Sequence, residues 1–132
     1  MKMFIVLQVL LFIILACSKK SDQILKTEEI ITNSVWKKSD LTTESVFGEG
    51  VYLKLLFNKS SNYEIIRYRN NSYLGITQKG KYEISKDVVT LNYTIQNEEI
   101  SLKYKLLDDK TLAYVKSNGE ISNLPEDFYR KE

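Results

Sequence analysis

From position 51 onward, apolar and polar residues alternate with a period of two. The run VYLKLLF at 51–57 places Val51, Leu53, Leu55 and Phe57 on one face of an extended chain. VVTLNYTI at 88–95 does the same with Val89, Leu91, Tyr93 and Ile95, and leaves Thr90, Asn92 and Thr94 opposite. ISLKYKLL at 100–107 turns Ile100, Leu102, Tyr104 and Leu106 one way and Ser101, Lys103 and Lys105 the other. A slip of one residue would bury the lysines, so the pattern specifies its own register. Turn residues punctuate these runs: NKSSN at 58–62, NNS at 70–72, Lys86-Asp87, QNEE at 96–99, DDK at 108–110 and SNGE at 117–120. The reading predicts strands near 35–39, 51–57, 63–69, 74–85, 88–95, 100–107, 111–116 and 127–131, with Gly75 and Gly80 kinking or bulging the fourth. Short loops make sequential strands antiparallel neighbours. Eight strands with one apolar face each must stack as a sandwich or close into a barrel, and closure removes the exposed edges. The expected fold is all-β, a single small antiparallel up-and-down barrel over residues 34–132.

The N-terminus follows a different rule. Met3 to Leu15 is apolar throughout except for Gln8, and Lys2 precedes it. As a helix this stretch would measure about 20 Å. That is short for a bilayer core and suited to the apolar region of a secretory signal. It ends at Ala16-Cys17, and ILAC at 14–17 resembles the lipobox of bacterial lipoproteins. The resemblance implies that residues 1–16 are a signal peptide and that Cys17 carries diacylglycerol on its sulfur, with a further acyl chain such as palmitate on the new amine. Membrane attachment through Cys17, in the bacterial cell envelope, follows as an expectation, and Ser18 after the cysteine points to the outer membrane. One acyl chain binds marginally and two or three hold firmly. Residues 17–33 are the lipidated tether. From Asp22 it reads either as a short helix, with Ile24, Ile31 and Val35 in phase and Asn33 ending it, or as a disordered spacer.

Composition narrows the chemistry. The chain has no histidine, and Cys17 is its sole cysteine. A Ser-His-Asp triad, a cysteine nucleophile in the domain, a disulfide and a His/Cys zinc site are therefore excluded. Catalysis would have to use carboxylates, Lys or Tyr, so no enzyme is expected, and no cofactor. The acidic pairs Glu98-Glu99, Asp108-Asp109 and Glu126-Asp127 lack calcium-loop spacing, so no metal is expected. The net charge is +2, and without residues 1–16 it is +1, from 18 basic and 17 acidic side chains. That balance does not suit a nucleic-acid partner.

A tryptophan opening the first strand, a 12-residue first connection at 39–50 and hairpins such as GKYEISKDVVTL (80–91) and KYKLLDDKTLAYV (103–115) resemble the small lipocalin-like, or calycin-type, domains of bacterial lipoproteins. Ser34 stands where the lipocalin signature Gly-x-Trp has glycine. The resemblance implies that the 39–50 loop covers the barrel mouth, with Phe47 as its apolar contact. An eight-stranded barrel either fills its interior with side chains or holds one small ligand. Trp36, Tyr82, Tyr93 and Tyr104 are the candidate lining in the second case and plain core in the first. Two functions stay open: a binding domain for a small apolar ligand, or a protein-binding lipoprotein, whether a surface host-binding protein or a periplasmic inhibitor or immunity protein. Lys54, Arg67, Arg69, Lys103 and Lys105 are read as outward-facing, Arg67 and Arg69 sharing a face with Tyr63 and Ile65.

Overall fold

A computed structural model describes residues 25–132. The expected signal peptide, Cys17 and the first part of the tether lie outside the described residues. Residues 25–31 form a helix, α1, that ends where Asn33 takes a positive φ of 57°. Eight strands follow: β1 (Val35–Ser39), β2 (Val51–Phe57), β3 (Asn62–Arg69), β4 (Ser72–Ser85), β5 (Val88–Ile95), β6 (Glu98–Asp108), β7 (Thr111–Val115) and β8 (Phe128–Lys131). A four-residue helix, α2 (Glu44–Phe47), lies in the first loop, and a 3₁₀ turn (Pro125–Asp127) precedes β8. Each strand pairs antiparallel with the next, and β8 returns to β1, so the sheet is the closed up-and-down barrel that the alternation predicts.

Strand ends reach further into the turns than the hydrophobic pattern indicates. Asn70-Asn71 and Gln96-Asn97 each take positive φ at both residues, and this two-residue geometry matches the strand twist and lets pairing run to the last residue. At the 58–61 loop the Asn58 carboxamide oxygen accepts the Ser60 and Asn62 backbone N–H groups instead.

Registers place Val51, Leu53, Leu55 and Phe57 inside, together with Val89, Leu91, Tyr93, Tyr104 and Leu112. Trp36, Leu55, Val89, Leu91 and Leu112 are 0% exposed, so no water-sized space adjoins any of them. α1 closes this end of the barrel. Ile31 is fully buried in the core, the Trp36 indole N–H donates to the Ser34 hydroxyl (2.7 Å), and the Lys131 ammonium donates to the Ile30 carbonyl (3.0 Å).

One expectation is corrected. Arg67 and Arg69 pair with the inward positions Leu53 and Val51, so they belong to the inner face and not the outer one. Period two requires this, since Tyr63 and Ile65 on the same face are core. The outer face of the same strands carries Tyr52 and Tyr68, whose rings stack 5.5 Å apart.

Candidate functional site

The two ends of the barrel are built differently. α1, the start of β1 and the 58–61, 86–87 and 109–110 turns lie at the closed end. The 40–50 loop and the 70–71 and 96–97 turns lie at the other, where the inward positions become polar. Here the Arg67 guanidinium Nε donates to Asp40 Oδ2 at 3.0 Å. The Phe47 ring packs against the same guanidinium, 5.6 Å from centroid to Cζ. Arg69 Nε donates to the Glu49 carbonyl (3.4 Å), and Gly48, at φ 87°, leaves room for its head group. The first loop is thus fastened across the mouth by two arginines that project from β3. Burial pushes the Asp40 carboxyl up, but Thr43, Thr42 and Arg67 together outweigh it and hold it below the ordinary carboxylate range.

Deeper in, Lys38 shares the inner face with Trp36, and its Nζ sits 4.8 Å over the Tyr129 ring. Burial lowers the Lys38 ammonium below its ordinary value, and Asp127 and Asp40 only partly restore it. Tyr104 meets Tyr114 and Tyr129 edge to face, at 5.7 and 5.5 Å. Burial raises both the Tyr104 and Tyr129 phenols well above their ordinary value. The Gln78 carboxamide donates to the Tyr63 hydroxyl at 2.7 Å.

The wall is also interrupted at this end. The β4–β5 ladder covers Lys81–Ser85 against Val88–Asn92. Residues 72–80 of β4 pair with β3 alone, and residues 93–95 of β5 pair with β6 alone. The fork lies at Gly80, where a Cβ would come within 2.0 Å of the Asn92 carbonyl oxygen. Beyond it the strands part around a cleft of about 410 Å³, lined by Ile76, Thr77, Gln78, Lys79, Tyr93, Thr94 and Ile95. Two register shifts, after Ile65 and after Arg67, bend β4 away. Tyr73 (60%), Ile76 (46%) and Ile95 (51%) are exposed along the lips. No charged residue occurs from Ser72 to Gln78 or from Tyr93 to Asn97.

The aromatics selected from sequence do not form one wall. Trp36 and Tyr82 belong to the closed end, where the Tyr82 hydroxyl donates to the Asn58 carbonyl (2.7 Å) and its ring meets Phe57 edge-on at 4.8 Å. Tyr104 is buried among tyrosines, Tyr93 lines the β4–β5 cleft, and Phe47 lies on the first loop against Arg67. Lys38 and Asp40 were not selected, and Arg67 was singled out only as an outward-facing residue. Lys38 and Arg67 carried a usable signal, since each is in phase with core aromatics on its own strand. Among the described residues no cluster of acidic side chains could hold a metal ion.

No family model matches this sequence, and no curated protein matches it.

Proposed function

We propose that this chain is a bacterial lipoprotein, held at the cell envelope by acyl chains on Cys17, with an outer-membrane location indicated by Ser18. Its barrel acts without catalysis, by taking an extended strand of a partner protein into the cleft between β4 and β5. The cleft is the observation that carries the reading. Two facing strand edges have unused backbone donors and acceptors, and natural sheets usually blunt such edges with charge or proline. Here Lys79 is the one charged residue lining the cleft, no proline interrupts either edge, and Ile76 and Ile95 are exposed along the lips. A strand added between them would pair with one or both edges and rest side chains on Ile76 and Ile95, the usual mode of strand addition. The closed end, with its fully buried side chains, supports a protein partner over a ligand carried in the lumen.

A photo-crosslinking residue at Thr94, in cells, is expected to capture a partner through an extended segment, and Ile76→Lys is expected to remove that product. Equal yield from a probe at Asp109, at the far end, or a yield indifferent to Ile76→Lys, would refute strand addition. The anchor is tested separately. Cys17→Ser should abolish lipid labelling and leave the precursor uncut, and a mature variant that still partitions with membranes would refute lipidation.

A further inference from the structure

The cleft between β4 and β5 is blind at one end, and that limits the kind of strand it can take. Lys81 faces Asn92 in the last rung, and just beyond it Gly80 lies so close to the Asn92 carbonyl oxygen that a Cβ would clash. A chain entering from the mouth must stop at this fork. The other gap in the wall offers no comparable slot. β1 and β8 pair only at Trp36–Lys131 and Lys37–Arg130, and beyond them the 3₁₀ turn Pro125–Asp127 stands beside β1 in place of a second strand edge.

Alternation fixes which backbone groups stay open at the fork. Asn92 turns its carbonyl toward β4, so Thr94, two residues on, turns its N–H and C=O into the cleft. The Tyr82 N–H donates to the Ser61 carbonyl on the β3 side (2.8 Å), so Lys79, of opposite phase on the same strand, also faces the cleft with its backbone. Continuing the register would set Lys79 against Thr94. The two edges differ in regularity. β5 pairs with β6 without a register shift, whereas β4 has two shifts against β3, so the β5 edge is the better template. β5 runs from the fork to the mouth. A strand running from mouth to fork therefore lies antiparallel to the regular edge, which is the more stable pairing. Its C-terminus then arrives at the fork.

Charge favours the same polarity. Lys79 is exposed, is the one charged residue lining the cleft, and stands at the fork. Glu64 faces it across the β3–β4 ladder, yet among the described residues the ion pairs are Lys54–Glu132, Arg67–Asp40 and Lys105–Asp87, and Lys79 is in none of them. Lys81 follows on the same outer face. An N-terminal ammonium would be repelled here, and a carboxylate would be drawn in. Toward the mouth, Ile95 is in phase with the buried Leu91 and is 51% exposed. We propose that the strand added at this cleft is the C-terminal segment of the partner protein, its terminal carboxylate held by Lys79 and an apolar side chain one residue earlier resting on Ile95. The inference rests on the strand-addition reading and adds the strand's direction and end group.

The test uses the full chain and a fluorescein-labelled hexapeptide of alternating valine and threonine, threonine last, followed by fluorescence anisotropy. The free acid should bind about tenfold or more tighter than its C-terminal amide, as one charge-assisted contact supplies. Lys79 is exposed, so its variants keep the fold: Lys79→Met should erase that difference, and Lys79→Glu should invert it. A photoreactive group on the last residue should label peptides containing Lys79 or Thr94. Label confined to the 70–71 or 96–97 turns would mean the opposite polarity and overturn the proposal. Equal affinity of acid and amide would overturn it too, as would full affinity of an amidated peptide ending in aspartate, which would favour an internal acidic strand. N-methylation of alternate peptide nitrogens separates this inference from the reading beneath it. Binding lost on methylation but not on amidation defeats the carboxylate alone, whereas indifference to methylation defeats strand addition itself.

Discussion

The closed and open ends of this barrel use the same strands and the same alternation, yet they differ in two respects. At the closed end the inward positions are Trp36, Leu55, Phe57, Tyr82, Val89 and Leu91, and Ile31 of α1 seals them. At the open end the same inner face carries Lys38, Arg67, Gln78 and Gly75, and the strands part at two seams. Apolar burial at one end supplies the stability that lets the other carry desolvated charge and unused backbone edges. On the proposed reading, stability and binding are separated along the barrel axis rather than mixed around it.

The sharpest way to break this contrast is a matched pair of truncations. Trp36→Ala removes a fully buried ring and should cost about 3–5 kcal/mol. Phe47→Ala removes an exposed ring and should stay within about 0.5 kcal/mol of the parent. Urea unfolding followed by circular dichroism measures both, and similar losses would show that the open end also holds the fold together.

An intermediate effect is expected at the loop clasp. Arg67→Leu leaves the Asp40 carboxyl, 6% exposed, without its guanidinium, which should cost about 1–3 kcal/mol. Because the folded Asp40 titrates below its unfolded value, its stabilisation is present above the ordinary carboxylate range and is lost as the pH falls through the folded value. The acid limb of the stability profile should be shallower in Arg67→Leu than in the parent. Identical acid limbs would mean that the clasp contributes nothing to the fold.

Alkaline pH probes the tyrosines between the two ends. Tyr104 and Tyr129 titrate above their unfolded values, so above about pH 10 the unfolded chain gives up phenolic protons that the folded one keeps. Stability should fall as the pH rises there, by at most about 1.4 kcal/mol per pH unit for each phenol. Tyr104→Phe should flatten the decline, as measured by unfolding at successive pH values. An unchanged slope would place the Tyr104 hydroxyl in water rather than in the packed cluster.

Much of the closed end was legible in the sequence, because period two reports which side chains share a face, and burial of that face determines register. Val51, Leu53, Leu55 and Phe57 were assigned together and lie together inside. The open end was less legible for a physical reason. Hydrophobicity is the signal by which a face is recognised as inner, and Lys38 and Arg67 are inner but charged. Reading Arg67 by its charge put it outside, whereas its phase with Tyr63 and Ile65 put it inside, and phase was correct. The seams were not legible at all. Where β4 leaves β5 depends on the shear of the whole barrel and on the close approach of Gly80 to Asn92, of which only a kink or bulge at Gly75 or Gly80 was foreseen.

The last expected effect, a near-cancellation, concerns Lys38 and bears on why a cation sits inside. Burial of its ammonium opposes folding while it is charged, and its aliphatic stem contributes packing on the inner face. Lys38→Met keeps the stem and removes the charge. The lost attraction to Asp127 and Asp40 and the relieved desolvation should nearly cancel, leaving stability at pH 7 within about 1 kcal/mol of the parent. The sign with pH is definite. The folded ammonium titrates below its unfolded value, so the unfolded chain holds more protons in that interval. The Lys38 contribution therefore becomes less unfavourable as the pH rises through the folded value toward the unfolded one. Subtracting the Lys38→Met profile from the parent profile isolates it from the tyrosines, whose decline is common to both chains. A difference that rises with pH would mean that Lys38 is held on the inner face at a stability cost. A variant destabilised by several kcal/mol at pH 7 would instead make Lys38 a structural residue of the barrel, and the contrast between the two ends would fail at a desolvated charge of the inner face.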